Sequence, residues 1–431
     1  MNPTRIFISL AAALTALPAF SHIEPDKSQH HSLHTLVHDA DEEKVHSILD
    51  NNSPQEFHHP GPRFAIVGKD EKFYLSISGY VKATASYDFG SVIDNPNEFV
   101  TAAIPTPGDP MNKGLFQFSA MQSHLNLNFV ALPGTSNQVG AFLGMTFLDN
   151  YTPSLEFAYL KYRGLEAGYD YSLFSDPSAA APTIDYEGPN ASTAIQVGTV
   201  NYTFLFGKKK EWSAGAGLEM PVFSATNASR TAGIYQRVPD IPAFINYSWN
   251  EGTGWVRFSA ILRNLFYHDM TSEKTVDKPG YGVMISGSSE ICPRLTGFWQ
   301  ALYGNGIASR IQDLDGEGLD MVPDPSDPSR LNPVKAWGAF AGLQYNFSDN
   351  VFATASYSHV RTYAKTFADG AADTTPWGDM YRWAQYVTGN LFWNITSNIQ
   401  TGVEYIYGRR MNYDGTQAHD NRLQCMIQLS F

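Results

Sequence analysis

The sequence is poor in cysteine, with two in 431 residues, Cys292 and Cys425. This excludes a disulfide-stapled scaffold. Both fall on segments that read as distant strands, so small apolar fillers are expected rather than a bridge. Beyond the first 21 residues there is no apolar run of 18, which excludes a membrane-spanning helix. Basic residues are scarce: 29 Lys and Arg against 42 Asp and Glu leave a net charge of -13. A basic footprint for nucleic acid is therefore missing. Glycine-rich phosphate cradles are also missing, because GYGVMISGSS (280–289) reads as strand rather than strand–loop–helix. Charged residues make up only 16% and aromatics a full 13%.

What is present is alternation. In NRLQCMIQLSF, 421–431, Leu423, Cys425, Ile427, Leu429 and Phe431 are apolar, and Arg422, Gln424, Gln428 and Ser430 between them are polar, with Met426 the exception. A period of two marks a strand with two different faces. YLSISGYVKATASYDFG (74–90), HLNLNFVAL (124–132), NVFATASYS (350–358), GNLFWNIT (389–396) and TGVEYIYG (401–408) repeat it. The pattern predicts 16 strands.

The connections carry the fold class. Short ones, at 133–136, 163–164, 207–210, 250–253, 292–293, 348–350 and 396–398, alternate with long ones at 90–117, 174–192, 221–237, 267–279, 306–333, 363–379 and 409–420. The connection at 149–154 is short where a long one is due. A soluble sandwich, the competing class, has no reason to alternate. An outer-membrane barrel does, with short periplasmic turns, long external loops and an even strand number that returns both ends to the periplasm. The expectation is an all-β fold: a 16-stranded antiparallel transmembrane β-barrel over residues 73–431, apolar face to lipid. Trp212, Trp249, Trp255 and Trp393 are expected in interfacial girdles.

Ahead of the barrel, residues 1–21 read as a signal peptide: Arg5, an apolar stretch from Ile6 to Leu17, then Ala19-Phe20-Ser21, with cleavage before His22. Residues 22–62 form a His-rich periplasmic extension holding eight of the 12 histidines. It reads as a helix within 32–50 plus a linker broken by Pro54, Pro60 and Pro62. His34 and His38 stand one helical turn apart, a spacing that suits a shared metal ion. A polar tether or a helix for trimer packing is the competing reading.

The stretch EAGYDYSLFSDPSAAAPTIDYEGPN, 166–190, resembles the signature segment of DcaP-type trimeric porins, carried by Phe174, Asp176, Pro182, Asp185, Tyr186, Gly188 and Pro189. FSAILRNLFYHD (258–269), ALYGNGIASRIQDL (301–314), and GVEYIYGRR (402–410) followed by NRLQ (421–424) fit the same family in the same order. The resemblance covers about 73–431. It implies a trimeric outer-membrane channel for small, often anionic organic solutes such as dicarboxylates, with the loop 174–192 folded inward as a constriction.

Candidate constriction and lumen residues follow from that loop and from alternation. The loop offers Asp176, Asp185 and Glu187. On the walls, Arg257, Arg263, Glu404, Arg410 and Arg422 fall on polar faces, as do Lys82 and Asp88 on the first strand. Arg suits carboxylate solutes through its two-pronged fork. The alternative is that each Arg pairs with Glu404, Asp170 or a loop carboxylate and braces the barrel. Where the resemblance implies basic residues, this chain has Glu156, Gln196 and Asn201, and its fifth strand adds Glu166 and Asp170. A mixed or weakly cation-preferring lumen is the expectation.

The acidic stretch 313–329 lacks the ligand spacing of a calcium loop and reads as a solvated external loop. No nucleophile motif accompanies His124, His268, His359 or His419, so no enzyme and no cofactor are expected. The chain is too short for the 22 strands and plug of an energised transporter. The expected function is an outer-membrane porin, a passive diffusion channel for small polar or charged solutes. Its expected partners are the lipid bilayer and lipopolysaccharide outside, small-molecule solutes inside, two further copies in a homotrimer, and no nucleic acid. The alternative is a structural or adhesive barrel whose His-rich extension captures metal.

Overall fold

A chain that crosses lipid must pair every backbone N–H and C=O internally, and strands manage this only in a closed sheet. The computed structural model, which describes residues 34–35, 42–54, 57–58, 64–68, 70–364 and 378–431, is such a sheet. Among the described residues sixteen strands form the wall: Phe73–Asp88; Leu115–Ser119 continued by His124–Ala131; Val139–Asp149; Thr152–Tyr162; Leu165–Tyr171; Gln196–Phe206; Trp212–Glu219; Thr231–Gly233 continued by Ile241–Trp249; Gly254–Asp269; Lys274–Cys292; Leu295–Asn305; Lys335–Asn346; Val351–Tyr363; Tyr381–Asn394; Ile399–Asn412; and Gln417–Ser430. Each pairs antiparallel with the next. The sixteenth closes on the first, from Arg422 opposite Asp88 to Ser430 opposite Tyr80.

Register sorts the two faces. Val403, Cys425 and Ala85 stand side by side, as do Glu404, Gln424 and Ser86. On the outward face Val81 and Ile427 are 55% and 53% exposed, while inward-facing Arg422 and Glu404 are 0% and 1%. The outer face thus meets lipid and the inner face is polar. Both cysteines are unbridged. The rings of Phe204, Phe206, Trp212, Tyr247 and Trp249 form a ladder with centroids 5.5, 6.0, 4.7 and 6.0 Å apart along neighbouring strand ends, as an interfacial girdle should. Trp255 does not join it. Its indole N–H donates inward to Asp176 at 3.1 Å, because it shares the inner face with Arg257, two residues on.

Two connections expected to be long are tight turns. The ninth and tenth strands run on to Asp269 and from Lys274, and Glu273 in the turn between them has φ +53°. The fifteenth and sixteenth run on to Asn412 and from Gln417. These strand ends project beyond the bilayer, where an outward polar side chain costs nothing, so the apolar alternation that marks a strand fades before the strand does.

The fourth strand carries a bulge. Gly144 pairs with Phe157 and Met145 with Leu155, so the register skips over Glu156. An extra residue of this kind re-aims side chains, and here both Glu156 and Phe157 are buried on the inside.

The extension is only partly helical. A helix spans Glu42–Asp50, but His34–Thr35 pairs as a parallel strand with Phe64–Ala65, which itself lines the first strand through Phe64–Val67. An open strand edge takes whatever backbone can satisfy it. The side chain of His34 and all of His38 lie outside the described residues, as does the proposed signal peptide.

Candidate functional site

The segment after the fifth strand, 172–195, leaves the wall and crosses the interior. It starts anchored: Ser172 Oγ and the Leu173 N–H donate to Glu219 at 2.8 and 2.7 Å. Phe174 is buried with Ile261, Met284 and Ile307. Asp176 accepts from Trp255 and from Ser286 Oγ on the ninth and tenth strands. The far wall then takes hold. Pro182 O accepts from Thr354 and Asn390. The Ile184 and Asp185 N–H groups donate to the two carboxylate oxygens of Glu404, each at 2.9 Å. Ala191 N–H donates to Ser358 Oγ, and Ala191 O accepts from Gln300. Polar wall residues are thus consumed in holding a loop across the barrel, where a free backbone would otherwise lack partners.

Two more loops interlock with it. Asp185 accepts from the Phe99 N–H at 2.9 Å and from Tyr386 Oη at 2.8 Å. Asp313 accepts from Thr101, from the Ala102 N–H and from Tyr381. Asp313 and Asp320 are buried, so the acidic stretch 313–329 is not a solvated external loop in its first part. Its carboxylates serve as acceptors for backbone and arginine.

The candidate arginines are placed on the inside and are all engaged. Arg422 donates through Nε to Asp88 at 2.6 Å, and through Nη2 and Nη1 to the carbonyls of Ile93 and Asn95. Arg263 bonds Asp240 at 3.0 Å and Asp320 at 3.1 Å, and Arg310 bonds the same Asp240 at 2.5 Å and Glu219 at 3.1 Å. This buried ion cluster has members, Arg310, Glu219, Asp240 and Asp320, that alternation did not single out, since three of them stand in loops. Arg257 donates to Leu173 O and lies 3.8 Å from the Phe244 ring centroid. Arg410 donates to Ala102 O and lies over Tyr381. Their partners are chiefly loop carbonyls and loop acids rather than solute-facing space. Asp170 sits inside the fifth strand, capping the Tyr171 N–H at 2.7 Å.

Beside the loop is a cavity of about 960 Å³. Its charged lining is Glu98, Asp149, Glu156, Asp185, Glu187 and Asp315, against Lys82 alone among Lys and Arg. Lys82 Nζ donates to Ile184 O at 3.1 Å. Glu156, at the bulge, accepts from Tyr186 Oη and from Gln196 at 3.3 Å, and lies 3.4 Å from His124 Nδ1. Burial pushes the Asp185 carboxyl up to about 7, with the charge of Glu404 adding to the rise. Burial first, then the charges of Glu98, Asp185 and Asp313, holds Glu187 well above the usual carboxylate range. Glu98 and Asp315 are raised by burial too. Carboxylates crowded into one cavity resist ionising together, and a cation entering among them favours their charged form, so the lining takes on its negative charge as a cation arrives.

The extension, which sequence reading left outside the barrel, packs inside it and contributes Phe57 to the cavity lining. Val45 and Leu49 pack on inward-facing Tyr74 and Val130. Asn52 donates to Asn128 Oδ1 at 2.7 Å and to Ala141 O at 3.1 Å, and its carbonyl accepts from Tyr159 at 2.8 Å. Phe57 is buried against His124, Phe142 and Phe157, with centroids 5.1, 5.8 and 5.7 Å away. Val45, Leu49 and Phe57 were legible only as scattered apolar residues in a polar stretch.

The fold is similar to that of the outer membrane channel DcaP of Acinetobacter baumannii, with a TM-score of 0.70 and 22% identity over 85% of this chain and 99% of that one. It is also similar to the anion-selective porin from Comamonas acidovorans (TM-score 0.53, 10% identity, 84% and 100% covered). OmpT of Vibrio cholerae in its trimer form gives 0.52 and 10% over the same shares. No curated protein matches the chain. Likenesses this remote establish the barrel and nothing finer. Residues 118–425 match a family described as a porin subfamily, and with the closed barrel around them they place this chain in that family, as a porin of the outer membrane.

Proposed function

We propose that the protein is a passive diffusion channel whose selectivity is set where loop 172–195 narrows the lumen, and that the filter favours cations and neutral polar solutes. The observation that carries this is the lining of the cavity beside the loop: six carboxylates and a single lysine, with the candidate arginines spent on loop carbonyls and buried acids. Selectivity in a pore follows the sign of the charges at its narrowest part. Dicarboxylates, the solutes implied by the resemblance to DcaP-type porins, would meet like charge here. The mechanism is electrostatic filtering, without covalent chemistry.

The same reading takes residues 1–21 as a secretion signal, 22–62 as a periplasmic extension and 73–431 as the channel. It takes the working unit as a homotrimer, in line with the trimer form of the Vibrio cholerae relative in fold.

The test is the reversal potential of the purified protein in a planar bilayer under a salt gradient. Cation preference supports the reading. Anion preference would return the arginines to the filter. Absence of conductance would favour a structural barrel instead.

A further inference from the structure

Within the cavity, Glu187 carries a polar atom that the fold leaves unmet. Oε2 of Glu187 accepts from Gln312 at 2.9 Å, while Oε1 is buried without a hydrogen-bond partner, on a side chain 9% exposed that lines the cavity. An unsatisfied buried carboxylate oxygen is costly unless something is meant to meet it. A second carboxylate, Glu156, is turned inward by the bulge in the fourth strand, and the register slip there exists for that residue alone. Bulges gather where a side chain must be re-aimed.

The rest of the lining is aromatic and apolar. Tyr80, Tyr171, Tyr186 and Phe57 contribute rings, and their positions are held by packing: Tyr80 on His124 at 4.9 Å, Tyr171 edge-on to Phe157 at 5.1 Å. Aromatic faces carry negative charge density and attract organic cations, most strongly where water is excluded. A bare metal ion would gain little from such walls, whereas an ion with a hydrocarbon body would bury it against them. The volume of about 960 Å³ is that of a small-molecule site. The one lining lysine is tied to Ile184 O.

We infer that this cavity is a binding subsite for a small organic ammonium ion, held between the carboxylates of Glu156 and Glu187 and the rings of Tyr80, Tyr171 and Tyr186. The inference rests on the channel reading above and names its solute class. It describes an affinity step within the pore, so that such ions pass by binding and release and interrupt the flow of inorganic ions while they stay. An organic anion of the same size meets six carboxyl groups and one lysine already bound to Ile184 O, so the lining as a whole repels it.

The test uses the full-length protein in a planar bilayer, carrying potassium chloride current, with benzyltrimethylammonium and benzenesulfonate added in turn. The expected result is current interruption by the ammonium ion and none by the sulfonate. Glu187→Gln and Glu156→Gln should each weaken the block about tenfold, the order expected when one charge pair leaves a desolvated site. Both variants keep the shape of the side chain. Glu187 is on the loop rather than the wall, so Glu187→Gln reads the subsite even where Glu156→Gln disturbs barrel assembly. Equal block by both probes, or block unchanged in Glu187→Gln, overturns the subsite. Normal chloride-salt conductance with no ammonium block overturns the subsite while leaving the channel intact, and no conductance in any salt overturns the channel reading itself.

Discussion

The backbone N–H of Asp185 donates to Oε1 of Glu404 at 2.9 Å, joining the middle of the inward loop to the fifteenth strand. The second oxygen of Glu404 takes the Ile184 N–H, and Asn390 and Gln424 donate to the same carboxylate. A wall acid that alternation placed on the inner face is thus a clamp for the loop. Glu404→Ala leaves these donors without an acceptor, at a cost of about 1–3 kcal/mol for each one that water does not rescue. The expected outcome is a folded barrel with a mobile loop: larger single-channel conductance and noisier current than the parent, in the same bilayer.

Asp185 also predicts a pH dependence. Its folded carboxyl titrates at about 7, raised by burial and by Glu404, against an ordinary value of 3.8. The acid is therefore neutral in the folded protein below neutral pH and anionic above it. Cation preference should strengthen as pH rises through 7, and Asp185→Asn should flatten that part of the profile. The stability linked to this group runs the other way: it is full below 3.8 and is lost as pH rises through 7. Reversal potentials on either side of neutrality check the first, and melting of the detergent-solubilised barrel checks the second.

The cluster of Arg263 with Asp240 and Asp320 is expected to be structural. Arg263→Met removes the cation and leaves two buried acids, one of which keeps Arg310. Breaking a buried pair from one side costs about 3–5 kcal/mol. The variant should melt markedly earlier in detergent, whereas the sign of its reversal potential should not change, because Arg263 does not line the cavity.

Asn52 ties the extension into the lumen through Asn128, Ala141 and Tyr159, and Phe57 seats beneath the cavity. Asn52→Ala combined with Phe57→Ala should free this segment. Conductance is expected to rise, most clearly for solutes entering from the periplasmic side. Unchanged conductance for both small ions and larger solutes would show that the segment does not narrow the path.

On the outer face of the closing strand, Ile427 is 53% exposed. Ile427→Arg puts a charge against lipid, which costs about 2–4 kcal/mol near the midplane of a barrel. The neighbouring inward position tolerates polarity already, so Gln428→Arg should cost far less. Refolding yields into lipid vesicles compare the two.

Much of the fold was legible because alternation reports the two faces of a strand directly. It put Leu423, Cys425, Ile427 and Leu429 on one side and Arg422, Glu404 and Arg263 on the other, and the structure places them so. It failed at strand ends. Lys274 to Pro279 and Arg409 to Asp420 look like loop because no lipid demands an apolar face there, yet they are paired strand up to tight turns. It also failed for the extension, where Val45, Leu49 and Phe57 are too sparse to announce a packed segment.

By itself, then, the sequence determined the barrel, its closure and the lipid-facing surface, since those depend on a periodicity that each strand carries locally. Who partners whom inside the barrel was decided only by tertiary structure. Asp185 meets Glu404 219 residues away, and Arg422 meets Asp88 at a separation of 334. Such pairings come from the closure of the sheet and the course of the loops across it. No local pattern encodes them, and they decide which charges are spent on holding the loops and which are left facing the solute.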